Sequence, residues 1–173
     1  MNLFLIGYRG SGKTSVASAL AAQLGWPWVD TDVEIERRSG RTIRDLFVQE
    51  GESYFRDLES RVVAEVAAGD RQVVALGGGA VLRPDNRRDL AGRGKVVWLT
   101  ASPRTLWERI GQDPSTASRR PHLTTAGGLA EIETLLAERS PLYAQCADLA
   151  LDTEGLPPDQ IARQIIQRLG LEA

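Results

Sequence analysis

The stretch Gly7-Tyr8-Arg9-Gly10-Ser11-Gly12-Lys13-Thr14 constrains this chain more than any other. It fits the pattern G-x-x-x-x-G-K-[ST] without a departure. Its flanks agree with it. Leu3 to Ile6 is a short apolar run that reads as a buried strand. Ser15 to Leu24 is Ala-rich, with Val16, Ala19, Leu20 and Leu24 at helical spacing. Strand, glycine loop and helix together form a phosphate cradle. The loop amides turn inward, and the helix N-terminus adds its partial positive charge. Gly10, Ser11, Gly12, Lys13, Thr14 and Ser15 are the expected nucleotide contacts. Lys13 can reach the β- and γ-phosphates, and the Thr14 hydroxyl can ligate Mg²⁺.

Apolar runs with β-character alternate with helical patterns along the rest of the chain, the signature of a parallel α/β sheet. Five strands are expected: Asn2–Ile6, Trp26–Val29, Gln72–Leu76, Lys95–Leu99 and Leu149–Leu151. The second runs into Asp30-Thr31-Asp32 and the third into Gly77-Gly78-Gly79. Helices are expected over 52–68, 84–90, from Ser102-Pro103 to Ile110, and over 129–142 and 157–169. Gly40 and Gly51 interrupt the helical region after the second strand. The 173 residues, without repeat or linker, suggest a single α/β/α domain. Gly111 to Gly128 departs from this rhythm. It carries Asp113-Pro114, several Ser and Thr, Arg119-Arg120-Pro121 and Gly127-Gly128, and beside a phosphate loop it reads as a mobile lid.

Composition narrows the partners. A formal net charge of −2 offers no basic field for nucleic acid or an anionic membrane. Any affinity for anions must come from local arginines. Cys146 is the one cysteine, so no disulfide can close within the chain, which suits a reducing cytosol. It reads as a small apolar residue. A signal peptide and a membrane span are both expected to be absent.

Several residues could carry chemistry. Asp30 and Asp32 lie at the C-terminal end of a strand, where open α/β sheets bind ligands. If the strand continues, their spacing puts both carboxylates on one face. One could then serve magnesium through water and the other a substrate hydroxyl. Alternatively, Thr31 or Asp32 simply caps the next helix. The third and fourth strands end without an acid, which leaves Asp30 as the best candidate for the metal shell. Gly77, Gly78 and Gly79 allow close approach to a ligand, or merely make a tight turn. By composition Arg56 reads as a surface charge. Arg120 could close over transferring phosphates. Arg139, just before Pro141, could be a solvated charge at a helix end. His122 is the one histidine, and phosphoryl transfer to an alcohol gives it no role.

Taken together, these segments resemble the shikimate kinase family from end to end. The resemblance is carried by the loop Gly7–Thr14, by Trp28 to Asp32 with Ile35 and Gly40, and by Gly51-Glu52-x-x-Phe55-Arg56-x-x-Glu59. It extends through Gly77-Gly78-Gly79, Arg120-Pro121 and Arg139-x-Pro141-Leu142-Tyr143. It implies ATP-dependent phosphorylation of the 3-hydroxyl of shikimate, in aromatic amino-acid biosynthesis, with Mg²⁺ bound by Thr14; separately, a cytoplasmic location and a monomer are expected. It further implies that Asp30 supports the metal through water and that Asp32 binds the substrate hydroxyls as candidate base. Arg56 and Arg139 would grip the substrate carboxylate, with Gly77, Gly78 and Gly79 against the substrate and Glu59 orienting Arg56. Arg120 would meet the phosphates, and Arg109 and Pro158 would fall at the adenine pocket. Two features depart from the family. Arg120-Pro121-His122-Leu123 stands where Arg-Pro-Leu-Leu is usual, and the run from Gln112 to Ser118 is longer than is common. A gluconate-type kinase would lack the Arg56, Gly78 and Arg139 constellation. A regulatory module without turnover would lose Lys13, Asp32 or Arg120. A nucleotide-sensing switch would need a second sensing motif.

Overall fold

The computed structural model describes residues 1–113 and 127–172. Five parallel strands form one sheet in the order β2-β3-β1-β4-β5. They are β1 (Asn2–Ile6), β2 (Trp28–Asp30), β3 (Val73–Ala75), β4 (Gly94–Thr100) and β5 (Leu149–Asp152). The helices are α1 (Lys13–Leu24), α2 (Thr31–Ser39), α3 (Ile43–Glu50), α4 (Glu52–Ala67), α5 (Pro84–Ala91), α6 (Pro103–Gln112), α7 (Gly128–Cys146) and α8 (Pro158–Leu169). A single 3₁₀ turn over Ala80–Leu82 joins the triple glycine to α5.

Alternation along the strands divides the core. Leu3, Leu5, Val73, Ala75, Val97 and Leu99 pack against α1 and α8. Phe4, Ile6, Val74, Leu76 and Val96 pack on the opposite face, with Val63 and Ala67 of α4, Leu90 of α5 and Tyr143 of α7. β1 is buried along its whole length, because helices cover both faces of the sheet. The chain leaves β1 to both sides: β3 and β2 lie on one side and β4 and β5 on the other. The crevice at the carboxyl end of β1 is therefore the switch point at which such sheets bind ligands.

The second strand begins and ends differently from the sequence-based expectation. Trp26 is tied back to α1, its amide donating to the Ala21 carbonyl at 3.1 Å. The strand stops at Asp30 because this residue's own carboxylate caps α2, accepting from the Asp32 amide at 2.9 Å and the Val33 amide at 3.2 Å. Neither Thr31 nor Asp32 is the cap, and the two aspartates do not share a strand face. Asp32 instead sits in the first turn of α2.

The last long helix also differs. It does not end near Leu142 but passes through Pro141 to Cys146, so Arg139 is a mid-helix residue. Proline removes one helical hydrogen bond. Tertiary burial beyond it outweighs that loss: Tyr143 is fully buried in the core, and the Ser140 hydroxyl donates to the Leu136 carbonyl at 2.6 Å. Cys146, the last residue of α7, is half-buried, and burial pushes its thiol pKa up. Among the described residues no helix is long and apolar enough to cross a membrane.

Candidate functional site

Two connected clefts open at the carboxyl end of the sheet. The larger, of about 1270 Å³, is lined by the glycine loop and the start of α1, by Asp30, Asp32 and Glu36, and by Arg109 and Asp113 of the α6 end. Gly10 and Gly12 hold φ of 84° and 91°, the left-handed region that L-residues with side chains avoid. These turns aim the loop amides inward. The Lys13 ammonium lies in the same concavity, donating to the Gly7 carbonyl at 2.6 Å and the Tyr8 carbonyl at 3.0 Å. The Thr14 hydroxyl donates to Asp30 Oδ2 at 2.7 Å. One carboxylate oxygen of Asp30 thus caps α2 while the other faces Thr14.

That pair offers two hard oxygen donors at the mouth of the cradle, which fits Mg²⁺. Among the described residues no group of three or more His, Cys, Asp or Glu forms a ready-made metal cage. Such sparse ligation suits an ion that keeps waters and takes phosphate oxygens as its other ligands. Arg109 braces the loop from outside. Its guanidinium donates to the Gly10 carbonyl at 3.4 Å, Thr153 Oγ1 at 3.0 Å and the Thr153 carbonyl at 3.3 Å. Ser15 lines the cleft, whereas Pro158 opens α8 and is not among the described lining residues.

The smaller cavity, of about 490 Å³, is lined by Tyr8, Arg9, Asp32, Ile43, Phe47, Phe55, Arg56, Glu59, Gly78, Gly79 and Arg139. Its polar groups come from four separate stretches. Arg56 on α4 is 7% exposed, which corrects its reading as a surface charge. Its Nη1 donates to Glu59 Oε1 at 2.8 Å, and Nη2 lies 3.4 Å from Glu52 Oε1. Glu59 is 1% exposed. Burial pushes its carboxyl pKa upward, and the Arg56 guanidinium opposes that rise. Among the described residues, Arg56 Nε and Glu59 Oε2 are buried without a hydrogen-bond partner. Of the two, the Arg56 Nε–H is a donor that an anionic ligand could use.

The triple glycine makes room for this pair. A Cβ on Gly79 would collide with the Arg56 guanidinium, and one on Gly77 would fall 2.6 Å from Asp32 Oδ1. Gly77 itself lies behind the cavity wall, its amide bonded to Thr31 Oγ1 at 3.1 Å. The Gly78 carbonyl accepts from the Tyr143 hydroxyl at 2.6 Å. Burial pushes that phenol up to about 12, so it remains a donor. Arg139, 6% exposed, projects from α7 over the Tyr8 ring at 5.7 Å. It is therefore not a solvated helix-end charge.

Asp32, Arg9 and Ile43 line both clefts. Asp32 is 9% exposed and stands at their junction. The structure thus brings Asp32, Arg56, Gly78, Gly79 and Arg139 to one cavity, and Lys13, Thr14, Asp30 and Arg109 to its neighbour. Arg120 and His122 lie outside the described residues, as does most of the proposed lid. Sequence reasoning missed Tyr8, Arg9, Ile43, Phe47 and the Tyr143 bond to Gly78. Tyr8 and Arg9 occupy unrestricted positions of the loop pattern. Ile43 and Phe47 look like ordinary core positions of an amphipathic helix.

A family model described as Shikimate kinase matches residues 9–170. A shikimate kinase of Symbiobacterium thermophilum is 46% identical over 98% of this chain and 96% of its own length. One of Rhodopirellula baltica is 41% identical over 96% of this chain and 89% of its own length. Among solved structures, shikimate kinase from Acinetobacter baumannii in complex with shikimate superposes with a TM-score of 0.91. It is 35% identical, and the match covers 97% of this chain and 92% of that one.

Proposed function

The chain belongs to the shikimate kinase family, and from that premise we propose how its two clefts divide the ATP-dependent phosphorylation of shikimate. The larger cleft takes ATP, with its phosphates against the loop amides and Lys13. The smaller takes shikimate. The observation that carries this division is the convergence of Arg56, Arg139 and Gly78–Gly79 on a cavity that shares Asp32 with the phosphate cleft. A guanidinium held rigidly by Glu59 presents a planar fork that matches a carboxylate in two places. The apolar faces of Ile43, Phe47 and Phe55 suit the ring of a small cyclic acid.

In this reading the acceptor hydroxyl, the 3-hydroxyl by family resemblance, points at the junction. Its oxygen bonds to the γ-phosphorus as the bond to the β–γ bridging oxygen breaks. Its proton passes to the Asp32 carboxylate, and ADP leaves. Such a transfer asks mostly for position and charge from the protein. Thr14 and Asp30 would hold Mg²⁺, Asp30 through water, and the ion would neutralise phosphate charge. Lys13 exchanges its bonds to the Gly7 and Tyr8 carbonyls for phosphate oxygens. Arg109 and Pro158 are placed at the adenine end, and Arg120 over the transferring phosphates from a lid spanning 111–128. We extend the reading to a single domain over 1–173, acting as a cytoplasmic monomer without nucleic acid. The lone cysteine and the net charge of −2 support that extension.

The test is ADP release with shikimate, quinate, gluconate or no acceptor. Turnover with shikimate at least about 100-fold above gluconate is expected, since gluconate lacks the ring that the apolar wall receives. Equal rates with gluconate would refute the acceptor assignment.

A further inference from the structure

Arg9 has no assigned place in the scheme above, on which this inference rests. It stands at an unrestricted position of the glycine loop, yet among the described residues it is one of three that line both clefts. The other two are Asp32, assigned to the proton, and Ile43, which is apolar. Of the arginines in the acceptor cavity, Arg56 and Arg139 line that cavity alone, whereas Arg9 also lines the phosphate cleft. Two guanidinia already serve an acceptor carboxylate. The third stands where a group leaving the nucleotide must pass.

The residue is also restrained. Tyr8, its neighbour, is buried against Leu106 of α6 and Ile132 of α7. Arg139 covers the Tyr8 ring, and the Arg9 amide lies 3.3 Å from the point a Gly78 Cβ would occupy. Glu131, in the first turn of α7, is 1% exposed and exerts an attractive charge interaction on Arg9. Burial lowers the Arg9 pKa, Tyr8 and Glu131 oppose that loss, and the nearby Arg139 charge adds to it. The guanidinium stays charged, as arginine does at any ordinary pH. A cation partly stripped of water interacts more strongly with a developing anion than a solvated one does.

We propose that Arg9 grips the phosphoryl group from the acceptor side as it passes from ATP to shikimate, and holds it on the product. Arg9 is then a catalytic residue. Lys13 addresses the same group from the nucleotide side. No bond is made or broken at Arg9, so the reaction balance is unchanged.

The test uses the full chain and the variants Arg9→Met and Arg9→Lys. It measures kcat, both KM values, and calorimetric affinities for shikimate and for phosphorylated shikimate. Arg9→Met should lower kcat about 10- to 100-fold, leave KM for shikimate within about threefold, and weaken the phosphorylated acceptor about 10-fold relative to shikimate. A raised KM for shikimate with kcat intact would make Arg9 a carboxylate anchor and overturn the proposal. Should Arg9→Met fail to fold, Arg9→Lys decides. It keeps the charge without the fork, and an unchanged kcat together with unchanged product affinity sinks the idea. If the unmodified chain does not phosphorylate shikimate, the parent reading fails and not this one alone.

Discussion

The nucleotide cleft and the acceptor cavity share Arg9, Asp32 and Ile43, yet they draw on the chain in different ways. The nucleotide cleft is mostly local. Residues 9–15 supply its floor, using backbone amides, left-handed glycines and the start of one helix. The acceptor cavity is assembled over long range. Asp32 comes from α2, Arg56 and Glu59 from α4, Gly78 and Gly79 from the loop after β3, and Arg139 from α7. The first is chiefly a surface of backbone dipoles, set by the glycines of the loop. The second is a set of buried charges, in which each member needs another: Glu59 for Arg56, Gly79 for the Arg56 guanidinium, Tyr143 for Gly78. Damage should therefore spread differently in the two. A change in the nucleotide cleft should cost chemistry and leave acceptor affinity alone, whereas a change in the acceptor cavity should cost affinity.

Lys13→Ala should have the largest effect. It removes the ammonium at the end of the loop that addresses the phosphates from the nucleotide side, and turnover should fall by about 10³-fold or more. A cooperative thermal melt should survive, because the described bonds of the ammonium, to the Gly7 and Tyr8 carbonyls and to Ser11 Oγ, all stay within the loop. Near-normal turnover in a folded variant would break the division between the clefts.

Asp32→Asn comes next, at the junction. It keeps the shape and loses the basicity, so kcat should fall by roughly 10²-fold. KM values for both substrates should change far less than kcat, because the charge is needed chiefly as the proton departs. A large rise in KM with kcat intact would assign Asp32 to binding alone.

Arg56→Lys probes the acceptor cavity by itself. The acceptor carboxylate stays ionised throughout, so the grip is nearly uniform binding. Losing the fork should raise KM for shikimate by an amount worth about 1.5–3 kcal/mol, with KM for ATP little changed. Steady-state kinetics that show kcat falling as far as in Asp32→Asn, with KM for shikimate unmoved, would dissolve the carboxylate assignment. The variant should stay folded, since a cation remains beside buried Glu59; an apolar replacement would strand that carboxylate, at a cost of about 3–5 kcal/mol.

Glu34→Gln is the smallest effect and the control. Glu34 lies on α2 but lines neither cleft. Its hydrogen bonds to Arg37 and Arg38 hold its pKa at about 2, against 4.5 when unperturbed. The depressed value means that ionised Glu34 stabilises the fold above pH 4.5 and that the contribution is lost as pH falls toward 2. For exposed pairs on one helix this amounts to about 0.3–0.5 kcal/mol each. Melting curves of the two proteins should differ slightly at neutral pH and converge near pH 2. Kinetic constants at neutral pH should coincide.

The same contrast decides what could be read from the residues. The glycine loop is contiguous, so its role, its flanking strand and its helix were all legible. The sheet was legible too, because strands buried on both faces show as unbroken apolar runs such as Leu3 to Ile6. The acceptor cavity was visible only through family resemblance. Nothing within α4 distinguishes Arg56 from a surface arginine; Gly79, more than twenty residues later, supplies the space for its guanidinium. The end of α7 was misplaced for a similar reason. Pro141 carries a local stop signal, and the burial of Tyr143 that overrides it depends on the sheet.

The double duty of Asp30 has a consequence for how this protein can drift. One of its oxygens caps α2 and the other receives the Thr14 hydroxyl. As a helix cap, asparagine is aspartate's equal, so Asp30→Asn would leave a chain that expresses, folds and melts almost normally. With only one oxygen the amide cannot cap α2 and also offer a carboxylate oxygen to the proposed metal shell. A screen for stability would pass that variant, and only a screen for growth or turnover would reject it. In the proposed scheme the damage would show in chemistry alone, and the intact cap of α2 would conceal it.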